Sequence, residues 1–224
     1  MKSDAQLKSD VEAELRWEPR VEAAQIGVSA KNGVVELDGH VGSYFEKWAA
    51  ERAALRVSNV KAIASEIKVE LLPSATRTDE DIARVAKNHL DWDYSVPDTV
   101  KVKVTDGMVT LEGKAEWQYQ KEEAERVVRP LMGVKGVFNA IDVTPRASAI
   151  DVKVKIEDAL KRSAETDAKH IKVETSNGKV TLRGTVSSWA EREAAEHAAW
   201  AAPGVTDVNN LITISYAAAA RAGF

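Results

Sequence analysis

The phrase NGVVELDGHV at residues 32–41 returns as DGMVTLEGKA at 106–115 and as NGKVTLRGTV at 177–186. Aligned on the second glycine of each phrase (Gly39, Gly113, Gly184), the three copies share Gly33, Gly107 and Gly178 six residues earlier. They also share Val35, Val109 and Val180 four residues earlier. Upstream, Ile26/Val28, Val100/Val102 and Ile171/Val173 keep one spacing. Downstream, Val60, Val134 and Val205 are followed by Ile63, Val137 and Val208, then by Ile67, Ile141 and Ile212, with no gap. The 224-residue chain is an internal triplication with a period of about 70 residues. That period is longer than the short solenoid repeats and long enough for each unit to bury its own small core.

Each unit spells one order of elements. Leu7/Val11/Leu15, Ile82/Ala86/Leu90 and Val152/Ile156/Leu160 recur every four residues, which places them on one face of a helix. A strand follows, alternating as in Val100-Lys101-Val102-Lys103-Val104. Asn32-Gly33, Asp106-Gly107 and Asn177-Gly178 supply the positive φ values of a type I′ hairpin. The second strand ends on Gly39, Gly113 or Gly184, where a missing Cβ permits a close backbone approach or a kink. A second helix carries AAERAA, EAERVV or AAEHAA and stops at Asn59, Gly133 or Gly204, residues suited to a left-handed cap. A third strand closes the unit.

The expected fold class is α+β: three tandem small domains, each α-β-β-α-β. The first two strands pair antiparallel, and the crossover helix brings the third parallel to the second. Two helices cover one face of each mixed three-stranded sheet. The expected domains are 4–72, 78–145 and 149–216, joined by the short linkers PSATRT (73–78) and PRASA (145–149). The tail AAAARAGF (217–224) reads as a frayed or short helical extension.

Composition removes several function classes. There is no cysteine, so disulfides, thiolate metal sites and cysteine nucleophiles are excluded. The net charge is -4, and Lys+Arg against Asp+Glu runs 9 to 12, 9 to 13 and 9 to 10 over residues 4–71, 78–145 and 149–215. No unit is basic, so phosphate-driven nucleic-acid binding is disfavoured. His40, His89, His170 and His197 fall in different elements without ligand spacing, so no metal site is expected. No phosphate loop, dinucleotide fingerprint or nucleophile elbow is present. No catalytic residue, metal or cofactor is therefore expected, and the chain is expected not to be an enzyme. No apolar run is long enough to span a bilayer, and no secretory signal is seen at the start. A cytoplasmic location is expected on that ground, or a periplasmic one if a native signal precedes the chain.

The paired glycines resemble those of the BON domain, a bacterial module, and so do the unit endings VKAIASEIKV, GVKGVFNAIDV and GVTDVNNLITI. Unit one departs from the pattern by Asn59 for the glycine and Ser65 for the asparagine. The resemblance implies a non-enzymatic binding module associated with phospholipid membranes, envelope integrity and the response to osmotic or other stress. Most members are periplasmic or outer-membrane proteins. The alternative is a protein-interaction scaffold or chaperone-like stress protein.

Six tryptophans supply the candidate contacts with a phospholipid surface or a protein partner. Trp17 and Trp92 each lie two residues beyond the last helix-one leucine, off the apolar stripe, and Tyr94 follows in LDWDYSVP. A tryptophan with one wet side suits a membrane interface or a domain seam. Trp117 and Trp189 open the second helices of their units, with Tyr44 the counterpart in unit one. Packing in a core or between repeats is the competing role for these. Gly33, Gly39, Gly107, Gly113, Gly178 and Gly184 are expected to be structural.

Overall fold

The computed structural model describes residues 2–144, 152–162, 170–176 and 178–215. The linker 145–149, Asn177 and the tail 217–224 lie outside the described residues. Three copies of one unit run along the chain. The first is α1 (Asp4–Trp17), β1 (Ile26–Lys31), β2 (Val34–Val41), α2 (Tyr44–Arg56) and β3 (Ala62–Val69). The second is α3 (Asp79–Trp92), β4 (Lys101–Thr105), β5 (Met108–Ala115), α4 (Gln118–Val128) and β6 (Gly136–Val143). The third is α5 (Val152–Arg162), β7 (Ile171–Ser176), β8 (Lys179–Val186), α6 (Trp189–Trp200) and β9 (Asp207–Ile214). Each unit has its own three-stranded sheet with the second strand central, antiparallel to the first and parallel to the third. The fold class and strand directions agree with the sequence reading.

Turn chemistry sets the register. Asn32 (φ 54) and Gly33 (φ 86) form the first hairpin, and Asp106 (φ 52) and Gly107 (φ 79) the second. Both turn positions need positive φ, as a type I′ hairpin requires. The first helix of each of these units reaches the same turn: Asn32 N–H donates to Asp4 Oδ1 at 2.9 Å, and Gly107 N–H to Asp79 Oδ1 at 2.9 Å. At the other end, a Cβ on Gly39 or Gly184 would strike the carbonyl oxygen of Gln25 or His170. The second glycine lets the segment entering the first strand press against the central one.

Helix starts are capped. Ser43 and Ser188 accept from the N–H of Glu46 and Glu191, and those glutamates accept from Gly42 N–H and Ser187 N–H. In the second unit Gln120 accepts from both Glu116 and Trp117 N–H. In the first and third units these bonds are reciprocal, the capping-box pattern, whereas in the second only Gln120 reaches back, because the Trp117 indole cannot accept. The four-residue stripes of α1, α3 and α5 are buried against the sheets. Each fully buried Leu, Val or Ile removes enough apolar area to contribute about 1.5–3 kcal/mol.

One residue separates the units at a recurring clip. Asn139 Nδ2 donates to Lys121 O at 2.8 Å, and Asn210 Nδ2 donates to Arg192 O at 3.3 Å and Glu196 Oε2 at 2.9 Å. The same asparagines accept from Ile141 and Ile212 N–H. The clip ties the last strand to the helix above it. Unit one has Ser65 there, and its hydroxyl is buried with no partner.

Candidate binding surface

The exposed aromatics arise from the way each first helix ends. The last turn of α1 or α3 presents Leu15 or Leu90 to the core, so the residue two positions on points away. Trp17 is accordingly 82% exposed and Trp92 91%. Tyr94 is 100% exposed although its loop is held on both sides. Asp93 Oδ1 accepts from Ser95 N–H at 2.9 Å, Val96 N–H donates to Asp93 O at 3.0 Å, and Val96 is buried. The Ser95 N–H holds the Asp93 carboxyl below the usual carboxylate range, and Arg126 at 3.8 Å adds to this. Tyr94 is thus presented by an Asx turn rather than by a loose segment. A shallow groove beside Trp92 is lined by Asn88, His89, Asp93 and Val127.

Trp117 and Trp189 are placed differently. Trp117 is 36% exposed at the start of α4. Trp189 is half-buried: its Nε1–H donates to Glu193 Oε1 at 3.0 Å, and the Arg192 guanidinium lies 5.0 Å from its ring centroid. The structure does not gather the five candidate aromatics into one cluster. The stacked ring pair among the described residues is Phe45 with Trp48.

That pair belongs to a seam of which the sequence reading named only Tyr44, as a residue packing in a core or between repeats. Helix α2 of the first unit touches both other units. Tyr44 packs against the core of the second, and burial there pushes its phenol pKa up. The Arg129 guanidinium, side chain 12% exposed, sits 4.2 Å above the Trp48 ring. Arg52 makes an ion pair with Glu193 of the third unit. Ala49 is fully buried without belonging to the first unit's own core cluster. The spacing of Tyr44, Trp48 and Arg52, four residues apart on one helix, was the available signal.

The histidines are dispersed. His40 lies 3.0 Å from Glu70, and His89 Nδ1 lies 2.9 Å from Val85 O. No group of His, Asp or Glu among the described residues is placed to hold a metal ion. No helix among them is long and apolar enough to cross a membrane.

The BON domain profile matches residues 3–70, 78–145 and 151–216. The chain belongs to the BON-domain family. A BON-domain chain of three units is also similar to osmotically-inducible protein Y of Escherichia coli (strain K12), at 33% identity over 142 residues. That match covers 57% of this chain and 68% of the relative. Among solved structures, CdsD, a structural protein of the type III secretion system of Chlamydia trachomatis, matches at 15% identity and a TM-score of 0.26. That match covers 94% of this chain and 92% of the other. The C-terminal domain of CdsD matches at 14% identity with the same TM-score, covering 96% and 100%.

Proposed function

We propose that this BON-domain chain is a non-enzymatic adhesion protein of the osmotic or general stress response, acting at a phospholipid surface of the bacterial envelope. The domain limits 4–72, 78–145 and 149–216 belong to the same reading. The observation that carries it is the end of α3, where Trp92 and Tyr94 stand almost wholly in water on a backbone held in place. Amphipathic rings of this kind are favoured at the headgroup level of a bilayer. Trp17 repeats the arrangement in the first unit, and several weak contacts on one chain add when they meet one surface. The similarity to an osmotically inducible protein supports the physiological setting.

Net charge sets the expected lipid preference. Asp91 and Asp93 flank Trp92 but face Lys87 and Arg126, and the whole chain is net acidic. An anionic membrane repels such a chain. Vesicle co-sedimentation therefore gives binding to phosphatidylcholine at least as strong as to phosphatidylglycerol at low salt. Tryptophan emission shifts to the blue on binding, and Trp92→Ala with Tyr94→Ala weakens binding about tenfold or more. Absence of binding to both vesicle types overturns the lipid reading. The same acidity favours the second reading, a scaffold acting through protein contacts, which capture of a defined partner in the absence of lipid would support.

A further inference from the structure

We propose that the cleft between the first and third units is a binding site for a small organic anion that carries a carboxylate or phosphate group on an apolar body. The cleft has a volume of about 370 Å³. It is lined by Lys61 of the first unit and by Trp189, Arg192, Ile212, Thr213 and Ile214 of the third. A space of that size suits a small molecule. Its walls are the Trp189 ring and two isoleucines, and its two charged groups are both cations. No carboxylate among the described residues lines it.

Both cations keep free donors. Arg192 donates Nε–H to Ile212 O at 3.3 Å and Nη2–H to Asn210 O at 2.9 Å. Carbonyl oxygens satisfy those nitrogens without neutralising the guanidinium, and Nη1 has no acceptor among the described residues. The Lys61 ammonium has neither an ion-pair partner nor a hydrogen-bond acceptor among them. The carboxylates on the neighbouring segments are turned to other donors. Glu193 pairs with Arg52 and accepts from Trp189 Nε1–H, and Glu196 accepts from Asn210 Nδ2 at 2.9 Å. Glu191 caps its own helix through Ser187 N–H, and Asp4 accepts from Asn32 N–H.

The repeat shows the same surface already occupied elsewhere in the chain. Trp189 and Arg192 match Tyr44 and Lys47, five and eight residues after the second glycine. Lys47 Nζ donates to Ile67 O as Arg192 Nε donates to Ile212 O, so the cation clips the last strand in both units. In the first unit Tyr44 packs against the core of the second. In the third unit the matching ring faces the cleft, and arginine stands where the first unit has lysine. A guanidinium can hold two carbonyls and still present a nitrogen to an oxyanion. Lys61 and Arg192 bring like charges to the cleft from different units, so an anion seated between them favours the docked arrangement.

Titration of the isotope-labelled full chain with phenyl phosphate, followed by nuclear magnetic resonance at the Trp189 indole N–H, tests this. Loss of that signal in Trp189→Phe assigns it. The expected result is a saturable shift, with phenyl phosphate bound about tenfold or more tighter than inorganic phosphate or benzyl alcohol. Lys61→Ala and Arg192→Lys weaken binding about fivefold or more, the second keeping the clip that Lys47 makes and losing Nη1. Arg52→Glu, shown by circular dichroism to keep the fold, weakens binding as well, because it repels Glu193 and parts the two units. Absence of a saturable shift overturns the proposal, as does binding that ignores Lys61→Ala and Arg192→Lys, or that benzyl alcohol or inorganic phosphate matches. A Trp189 shift given by phosphatidylglycerol vesicles and not by phenyl phosphate assigns the surface to lipid and also overturns it. Trp92 and Tyr94 do not line the cleft, so this test and that of the lipid reading fail separately.

Discussion

Glu18 is the one charged side chain fully buried among the described residues, at 5% exposure. Arg20 grips it with two bonds, Nε to Oε1 at 2.6 Å and Nη2 to Oε2 at 2.9 Å, and Arg56 Nη2 adds a third at 3.0 Å. Arg20 first, and then Arg56, hold its pKa down at about 2. A carboxyl whose folded pKa lies below its unfolded value stabilises the fold above the unfolded value, near 4.5, and loses that contribution as pH falls toward 2. Both arginines are about half in water, which reduces the gain to about 1–2 kcal/mol at neutral pH. Thermal unfolding of native protein and Glu18→Gln across pH gives a gap that closes between pH 4.5 and 2. Nothing in ELRWEPR marks this glutamate as buried, because its burial depends on Arg56, 38 residues away.

Among the elements, the third strand shows how one side chain fixes a helix over a sheet. Asn139 and Asn210 each satisfy a helix carbonyl and a strand N–H together, while Ser65 is too short to reach either. A buried hydroxyl without a partner costs the fold, and supplying the missing bonds recovers about 1 kcal/mol. Ser65→Asn is expected to raise amide-exchange protection in β3 about fivefold. Ser65→Ala is expected to leave it unchanged or slightly higher, since it removes the stranded polar group. The departure at residue 65 was visible in the repeat alignment. Its cost appears only when the helix carbonyls above the strand are seen.

For the molecule as a whole, α2 joins the three units. Trp48 under Arg129 is largely shielded from solvent, whereas the Arg52–Glu193 pair is partly exposed. Salt screens the second contact far more than the first. Small-angle scattering of Trp48→Ala with Arg52→Ala is therefore expected to give a larger radius of gyration than native protein, while Trp17→Ala leaves it unchanged. The local fold was legible because its causes are local. Asn-Gly and Asp-Gly turns, four-residue apolar stripes and alternating strands each act within a few residues and are written three times. The exposure of Trp17 and Trp92 was legible for the same reason, since the helical period carries both off the buried stripe. Of the seam only Tyr44 was, because Trp48 and Arg129 lie 81 residues apart and Arg52 and Glu193 lie 141 apart. The sequence alone determined what each unit is. Tertiary structure decided how the units meet, because their contacts depend on the shapes and charges of finished surfaces that no repeat spacing encodes.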